Sequence, residues 1–306
     1  MTRPYTKTPL TLDEQLQRLE QRGIVFGDRD AARRVLENTN YYRLSGYWHI
    51  FKAEDDTFRC PDAFELSVRL HSLDVELRRL VLDITGHVEV AFRSRVAHRL
   101  AMEHGTFAHE DERAWAPRQR LVAERWRRGL YRETERSTDA FARHFKREYR
   151  EWPKLPVWVA CELMSFGTLS RLFKGMTTQD RAAVAAPFSI RHKVLASWLH
   201  MLVYVRNIAA HHGRLWNRTF SIKGMVPRTV QWQALGVGTE LNRTYDALCV
   251  LRHLSQQIDA DASDHWARRV VDLLNRFPAS VGGVKRLGAP QDWEHLTDLW
   301  QVGGNG

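Results

Sequence analysis

Within residues 64–100 the apolar side chains Leu70, Leu73, Leu77, Leu80, Ile84, Val88, Ala91 and Val96 recur mostly at spacings of three and four. Helical residues turn by about 100° each, so this pattern draws one apolar stripe along a single long amphipathic helix, with Gly86 as the place for a bend. Such a stripe needs partners. The same periodicity supplies them in residues 118–149, in 157–173 after the breaker Pro153-Lys154-Leu155-Pro156, and in 190–212. Four helices of this kind predict an all-α bundle. Residues 12–21 and 29–38 read as short helices in front of it, the first capped by Thr11 with Glu14 closing a capping box. Behind it, residues 224–238 with Pro227 read as a loop and 241–277 as helical. The glycine-rich stretch after Pro278 reads as loose until residues 293–300.

The chain has 306 residues, 43% of them hydrophobic and 27% charged, enough for a sizeable core and against disorder for most of its length. Lys and Arg outnumber Asp and Glu by 46 to 36, a net charge of +10, which favours an acidic partner such as nucleic acid or a membrane surface. Residues 113–150 hold twelve of the cations against five acids, with Trp126, Tyr131, Phe141, Phe145 and Tyr149 interleaved. Within them Arg125, Arg127, Arg128, Arg132, Lys146 and Arg147 are candidate contacts to an RNA backbone, and such binding should weaken steeply with salt. No membrane partner is expected, because the longest charge-free apolar run, residues 194–205, is short of the roughly 20 residues of a spanning helix. The first residues carry no apolar core of signal-peptide type, so a cytoplasmic protein is expected. Cys60, Cys161 and Cys249 are too widely spaced for a disulfide framework or a metal knuckle.

Phosphate-binding loops, dinucleotide fingerprints and hydrolase elbows have no matching string. The run His109-Glu110-Asp111-Glu112-Arg113 starts like a zinc-protease helix but has Arg where the second His should stand, so neither a metal nor a cofactor is expected. The informative stretch is residues 197–218. There an apolar helix ends in Arg206, Asn207, His211 and His212, with Gly213 expected to stop it. Asn207 and His211 share a face, which His200 and Tyr204 continue backward. A cation, an amide and an imidazole at the end of a buried helix are costly unless something uses them. Arg clamps phosphate oxygens and His moves protons near neutral pH, which is what cleavage of RNA by its own 2′-hydroxyl requires. The spacing alone carries no weight: random placement gives about five Arg-x4–6-His pairs in this composition, and five occur.

Context separates the Arg206 pair from the rest. The run Arg206-Asn207-Ile208-Ala209-Ala210-His211-His212-Gly213-Arg214-Leu215-Trp216-Asn217-Arg218 resembles the signature of the AbiD/AbiF abortive-infection family of antiphage proteins, within the HEPN superfamily. Two further blocks agree in order: Asn40-Tyr41-Tyr42-Arg43-Leu44-Ser45-Gly46-Tyr47-Trp48, and Pro156-Val157-Trp158-Val159-Ala160-Cys161-Glu162-Leu163-Met164-Ser165-Phe166-Gly167-Thr168-Leu169-Ser170. The resemblance spans roughly residues 9–220. It implies a HEPN-type helical bundle with Arg206, Asn207 and His211 as the ribonuclease motif. It also implies a homodimer that brings two motifs to one RNA strand, and metal-independent cleavage leaving a 2′,3′-cyclic phosphate and a 5′-hydroxyl. A small non-coding RNA is an implied partner.

Around the motif, His212 is a supporting residue that also suits the helix C-terminal dipole. Arg214, Asn217 and Arg218 either contact phosphates or cap neighbouring carbonyls. Arg43 and Tyr47 read as structural, Arg43 pairing an acid and the aromatic residues around it packing on the bundle. Arg93 and His98 read as a solvated or helix-facing pair, and Gly167 as a close helix crossing. The expected organisation is an N-terminal helical segment over residues 1–58, the bundle over 59–220 and a C-terminal helical extension over 221–306. The alternative to a nuclease is a non-catalytic scaffold that holds a small non-coding RNA.

Overall fold

A computed structural model of the chain describes residues 4, 6, 8–235, 237–295 and 299–301. Among them the fold is all-α apart from one pair of short strands. Three helices lead: α1 (Leu12–Glu20), α2 (Arg29–Thr39) and α3 (Tyr41–Trp48). The capping box forms as read, with the Thr11 amide donating to Glu14 at 2.7 Å and the Glu14 amide to the Thr11 hydroxyl at 3.3 Å.

The long periodic stretch is one helix, α4 (Ala63–His104), running through Gly86 without interruption. It is the spine of the molecule, buried along its length from Leu70 to Leu100 and packed by helices from every other part of the chain. Two of the expected helices are broken. Residues 118–149 form α5 (Arg120–Arg136) and α6 (Ala140–Glu148), because Ser137 turns extended and its hydroxyl takes the Asp139 amide at 3.1 Å in place of a helical bond. Residues 157–173 form α7 (Val157–Leu163) and α8 (Phe166–Gly175), because Met164 is extended and Ser165 caps the second helix. After α9 (Thr178–Ala185), α10 (His192–Ala210) carries the motif.

The expected loop at 224–238 is also partly ordered into other structure. Strand β1 (Thr219–Met225) pairs antiparallel with β2 (Glu240–Arg243), around the short helix α11 (Val230–Ala234). Gly224 allows the pairing to press on α10, since a Cβ there would stand 3.2 Å from Leu241 Cβ and Met201 Sδ. Residues 241–277 divide into α12 (Thr244–Gln256) and α13 (Ala260–Asn275), separated where Asp259 caps the second helix. Both pack on α4, and the Trp266 indole donates to the Leu80 carbonyl at 2.9 Å. The stretch after Pro278 is folded rather than loose. It makes 3-10 turns at Ala279–Val281 and Gly283–Leu287 with Val281, Leu287, Ala289 and Trp293 buried, its glycines Gly282 and Gly288 taking left-handed turns closed to other residues. Of the expected segment 293–300, residues 296–298 lie outside the described residues.

Candidate functional site

Helix α10 ends one residue before His211. His212, not Gly213, takes the left-handed conformation that ends it, with φ 57°. The His212 amide donates to the Ala209 carbonyl at 3.1 Å and the Gly213 amide to the Ile208 carbonyl at 2.7 Å, so two otherwise unpaired carbonyls of the last turn are satisfied. Gly213 is needed for a different reason from the one expected. A Cβ there would lie 2.9 Å from Ile208 Cγ2 and 3.1 Å from the Ile208 carbonyl oxygen.

This turn leaves Asn207, Ala210 and His211 exposed on one edge of α10, with His200 exposed and Tyr204 half-buried on the same stripe. The expectation of a polar cluster on a buried helix is thereby corrected: the helix is buried along Val194, Trp198, Met201, Leu202, Val205 and Ala209, and the motif occupies its open side. Arg206 stands between the two sides. Its guanidinium lies 3.5 Å from Glu89 of α4 and over the Phe166 ring at 5.8 Å, with a quarter of the side chain exposed.

Glu89 holds a second arginine. Its other carboxylate oxygen is 2.5 Å from Arg93, which also donates to the carbonyls of Cys161, Glu162 and Met164 at the end of α7. Arg93 is buried and faces the end of α7, as the helix-facing alternative had it and not the solvated one, because the break between α7 and α8 leaves carbonyls that its terminal nitrogen reaches. His98 stays exposed. Gly167 does meet α10, yet a Cβ there would sit at an ordinary 3.6 Å from Val203; the glycine of α8 with no room for a side chain is Gly175, where the ring of Trp115, outside any helix, would stand 2.3 Å away.

After the helix the chain is pinned to α4. Asp74, fully buried, accepts from the Tyr47 hydroxyl at 2.7 Å, from Arg78 at 2.5 Å and from the Leu215 and Trp216 amides at 3.2 and 2.8 Å. Tyr47 stacks on Trp216, and Arg214 donates to the Gly46 carbonyl and covers Tyr47. Arg43 donates to the His212 carbonyl at 2.6 Å, where an acid was expected. Arg214 and Arg218 both serve carbonyls, the latter that of Arg214 at 3.3 Å. Asn217 takes a left-handed turn at φ 51°. Hydrogen bonding to Ser221 first, then to Arg218, holds the Tyr204 phenol below its ordinary range.

The basic segment is not gathered into one patch. Arg125 and Arg132 line a cavity of about 540 Å³ between α5 and α8, together with Arg136, Arg171 and Glu133. Arg127 turns inward toward Glu110 at 3.9 Å, and Arg128 is exposed near Glu124. Lys146 lies over the Trp152 ring at 5.7 Å, and the exposed Arg147 is paired with Glu148 at 2.6 Å. Among the described residues no group of three or more His, Cys, Asp and Glu side chains could hold a metal ion, and no helix is long and apolar enough to cross a membrane.

A sequence-family model described as Abi-like protein matches residues 34–217. The chain belongs to this family. Membership supports an abortive-infection role in antiviral defence for this Abi-like protein. The match runs from α2 to the turn bound by Asp74, so it takes in the first two sequence blocks and all of the third but Arg218, and ends just before β1. Comparisons with curated proteins and with solved structures returned no match. In this Abi-like chain the three blocks converge on one helix end: the first through Tyr47, Arg43 and Gly46, the second through Phe166 and the α7 carbonyls, the third as the motif itself.

Sequence reading missed Asp74 and Glu89, the two acids of α4 that organise this convergence. A signal existed for each. Asp74 falls inside the apolar stripe between Leu73 and Leu77, and both acids have an arginine four residues on.

Proposed function

We propose that this Abi-like protein is a metal-independent endoribonuclease of HEPN type, with Arg206, Asn207 and His211 as its catalytic residues. The observation that carries this reading is the edge of α10, where Asn207 and His211 are exposed side by side and Arg206 is held next to them by Glu89 and Phe166. In the reaction His211 takes the proton of a ribose 2′-hydroxyl, whose oxygen attacks the adjacent phosphorus. Arg206 stabilises the dianionic phosphorane, displacing Glu89 from a contact that is long at 3.5 Å. The bond from phosphorus to the 5′-oxygen breaks, and that oxygen receives a proton, leaving a 2′,3′-cyclic phosphate and a 5′-hydroxyl. Attack and departure lie on opposite sides of the phosphorus, so one imidazole cannot serve both. A second copy of the chain, meeting the first along the exposed stripe His200, Tyr204, Asn207 and His211, supplies the acid. His212 supports the turn that presents His211, and Arg218 and Asn217 frame it.

The test is incubation of wild type and His211→Ala with total RNA and tRNA in excess EDTA, with end-group analysis. Cleavage by wild type alone, with cyclic-phosphate ends, is expected. Equal RNA binding without cleavage by either protein would favour the second reading, a non-catalytic scaffold for a small RNA. That reading draws on the arginine-lined cavity between α5 and α8, which is built apart from the motif residues. In a scaffold, removing charge at Arg125 and Arg132 would harm function more than His211→Ala.

A further inference from the structure

The C-terminal end of α10 borders a cavity of about 430 Å³ whose other walls come from α4 and the corner between α2 and α3. Arg43, His71, Arg78, Arg79 and His212 line it, and among its described lining residues there is no carboxylate. A recess at the N-terminal end of α10, away from the motif, also has no carboxylate among its described lining residues beside Arg191, Lys193 and Arg228, whereas two further cationic recesses contain counter-charges. Between α4 and α13, Arg276 is 2.7 Å from Glu76 and 3.9 Å from Asp272, and the α5–α8 cavity includes Glu133.

Here Arg78 is balanced from below by the buried Asp74. Arg43 spends one N–H on the His212 carbonyl and has four more to offer; Arg79 is exposed. A helix C-terminus is by itself poor ground for an anion. This one is covered, since Arg43 takes the His212 carbonyl and Arg78 approaches that of Gly213 at 3.5 Å. His71 senses the result. Edge-on to Tyr47 at 5.5 Å, its ring is held below the ordinary imidazole range by burial first and then by the charges of Arg78 and Arg43.

We propose that this cavity is a phosphate subsite for the RNA strand next to the motif, Arg43 and Arg79 gripping phosphate oxygens with the rings of His71 and His212 as further donors. The proposal rests on the reading of the chain as an RNA-binding protein. It gives Arg43, in the first sequence block, a role toward the ligand besides its hold on the turn.

The experiment uses the full-length protein, a short single-stranded RNA made uncleavable by 2′-O-methyl riboses, and inorganic pyrophosphate as a second probe. Arg79→Glu, at an exposed position, is expected to keep the wild-type unfolding temperature. It should weaken RNA binding by about tenfold or more and reduce the salt dependence by about one phosphate contact. In wild type, either probe should raise the pKa of His71, followed by its ring NMR signals, which a purely structural histidine would not show. If pyrophosphate moves His71 in an Arg79-dependent way while RNA does not bind, the subsite stands and the RNA reading falls. If Arg79→Glu binds both probes as wild type does, if RNA binds without moving His71, or if wild type binds neither probe, the subsite is overturned.

Discussion

Arg93 and Arg206 each stand five residues before a histidine, and both lean on the carboxylate of Glu89. Arg93 lies mid-helix in α4, sunk against the broken end of α7, with His98 carried round to solvent by the continuing helix. Arg206 lies in the last turn of α10, where the helix stops before His211 and a left-handed His212 turns the chain back toward Asp74. The two strings differ in what surrounds them, not in spacing. A cation among three carbonyls is a structural clamp, whereas a cation held loosely at a helix end beside exposed polar groups is free to meet a ligand.

Substitution of each arginine should separate the two roles most sharply. Arg93→Ala leaves three carbonyls without their donor and Glu89 with Arg206 alone, and is expected to cost about 3 kcal/mol or more in urea unfolding. Arg206→Ala should cost less than about 1 kcal/mol, because its one ion pair is long and partly exposed. It should nonetheless lower RNA cleavage by more than about 100-fold. Equal stability costs would erase the distinction.

The histidines extend the contrast, because His109 is buried under Trp126 while His211 is exposed. Burial, helped by the charge of Arg127, pushes His109 from 6.5 down to about 4, so it stays neutral when folded despite Glu110 at 3.3 Å. The unfolded chain binds this proton first as pH falls. The associated stability is therefore complete above pH 6.5 and declines by about 3 kcal/mol as pH drops toward 4. Comparison of wild type with His109→Leu across that range should show the variant lacking this part of the slope, and identical slopes would assign no such role to His109.

The smallest effects concern the helix end. Gly213→Ala should destabilise by about 1–2 kcal/mol through contact with Ile208 and lower cleavage by displacing His211. His212→Gly relieves a left-handed non-glycine residue and should stabilise by up to about 1 kcal/mol. Thermal unfolding of the pair would show whether the turn is set by space at Gly213 or by conformation at His212.

Much of this was readable in advance where the signal is local. The α4 stripe, the Thr11 capping box, the all-α class and the motif at the end of α10 follow from spacings within one or two turns, and the three blocks pointed to the Abi-like family. The breaks at Ser137 and Met164 went unread, because a polar or extended residue competes with a helix by margins that periodicity does not weigh. The order after Pro278 was unread for the opposite reason, since glycine marks a turn without saying whether the turn packs.

The sequence by itself therefore determined the helices, their apolar faces and the chemical groups available at one helix end, all consequences of short-range geometry. The tertiary structure alone decided which arginine is sunk among carbonyls and which stays partly exposed at a helix end, and which acid receives the chain after the motif. It also decided which cations are left facing one another across a cavity. Burial and charge pairing join residues far apart in the chain, 142 positions for Asp74 and Trp216 and 200 for Glu76 and Arg276, and no local pattern encodes such distances.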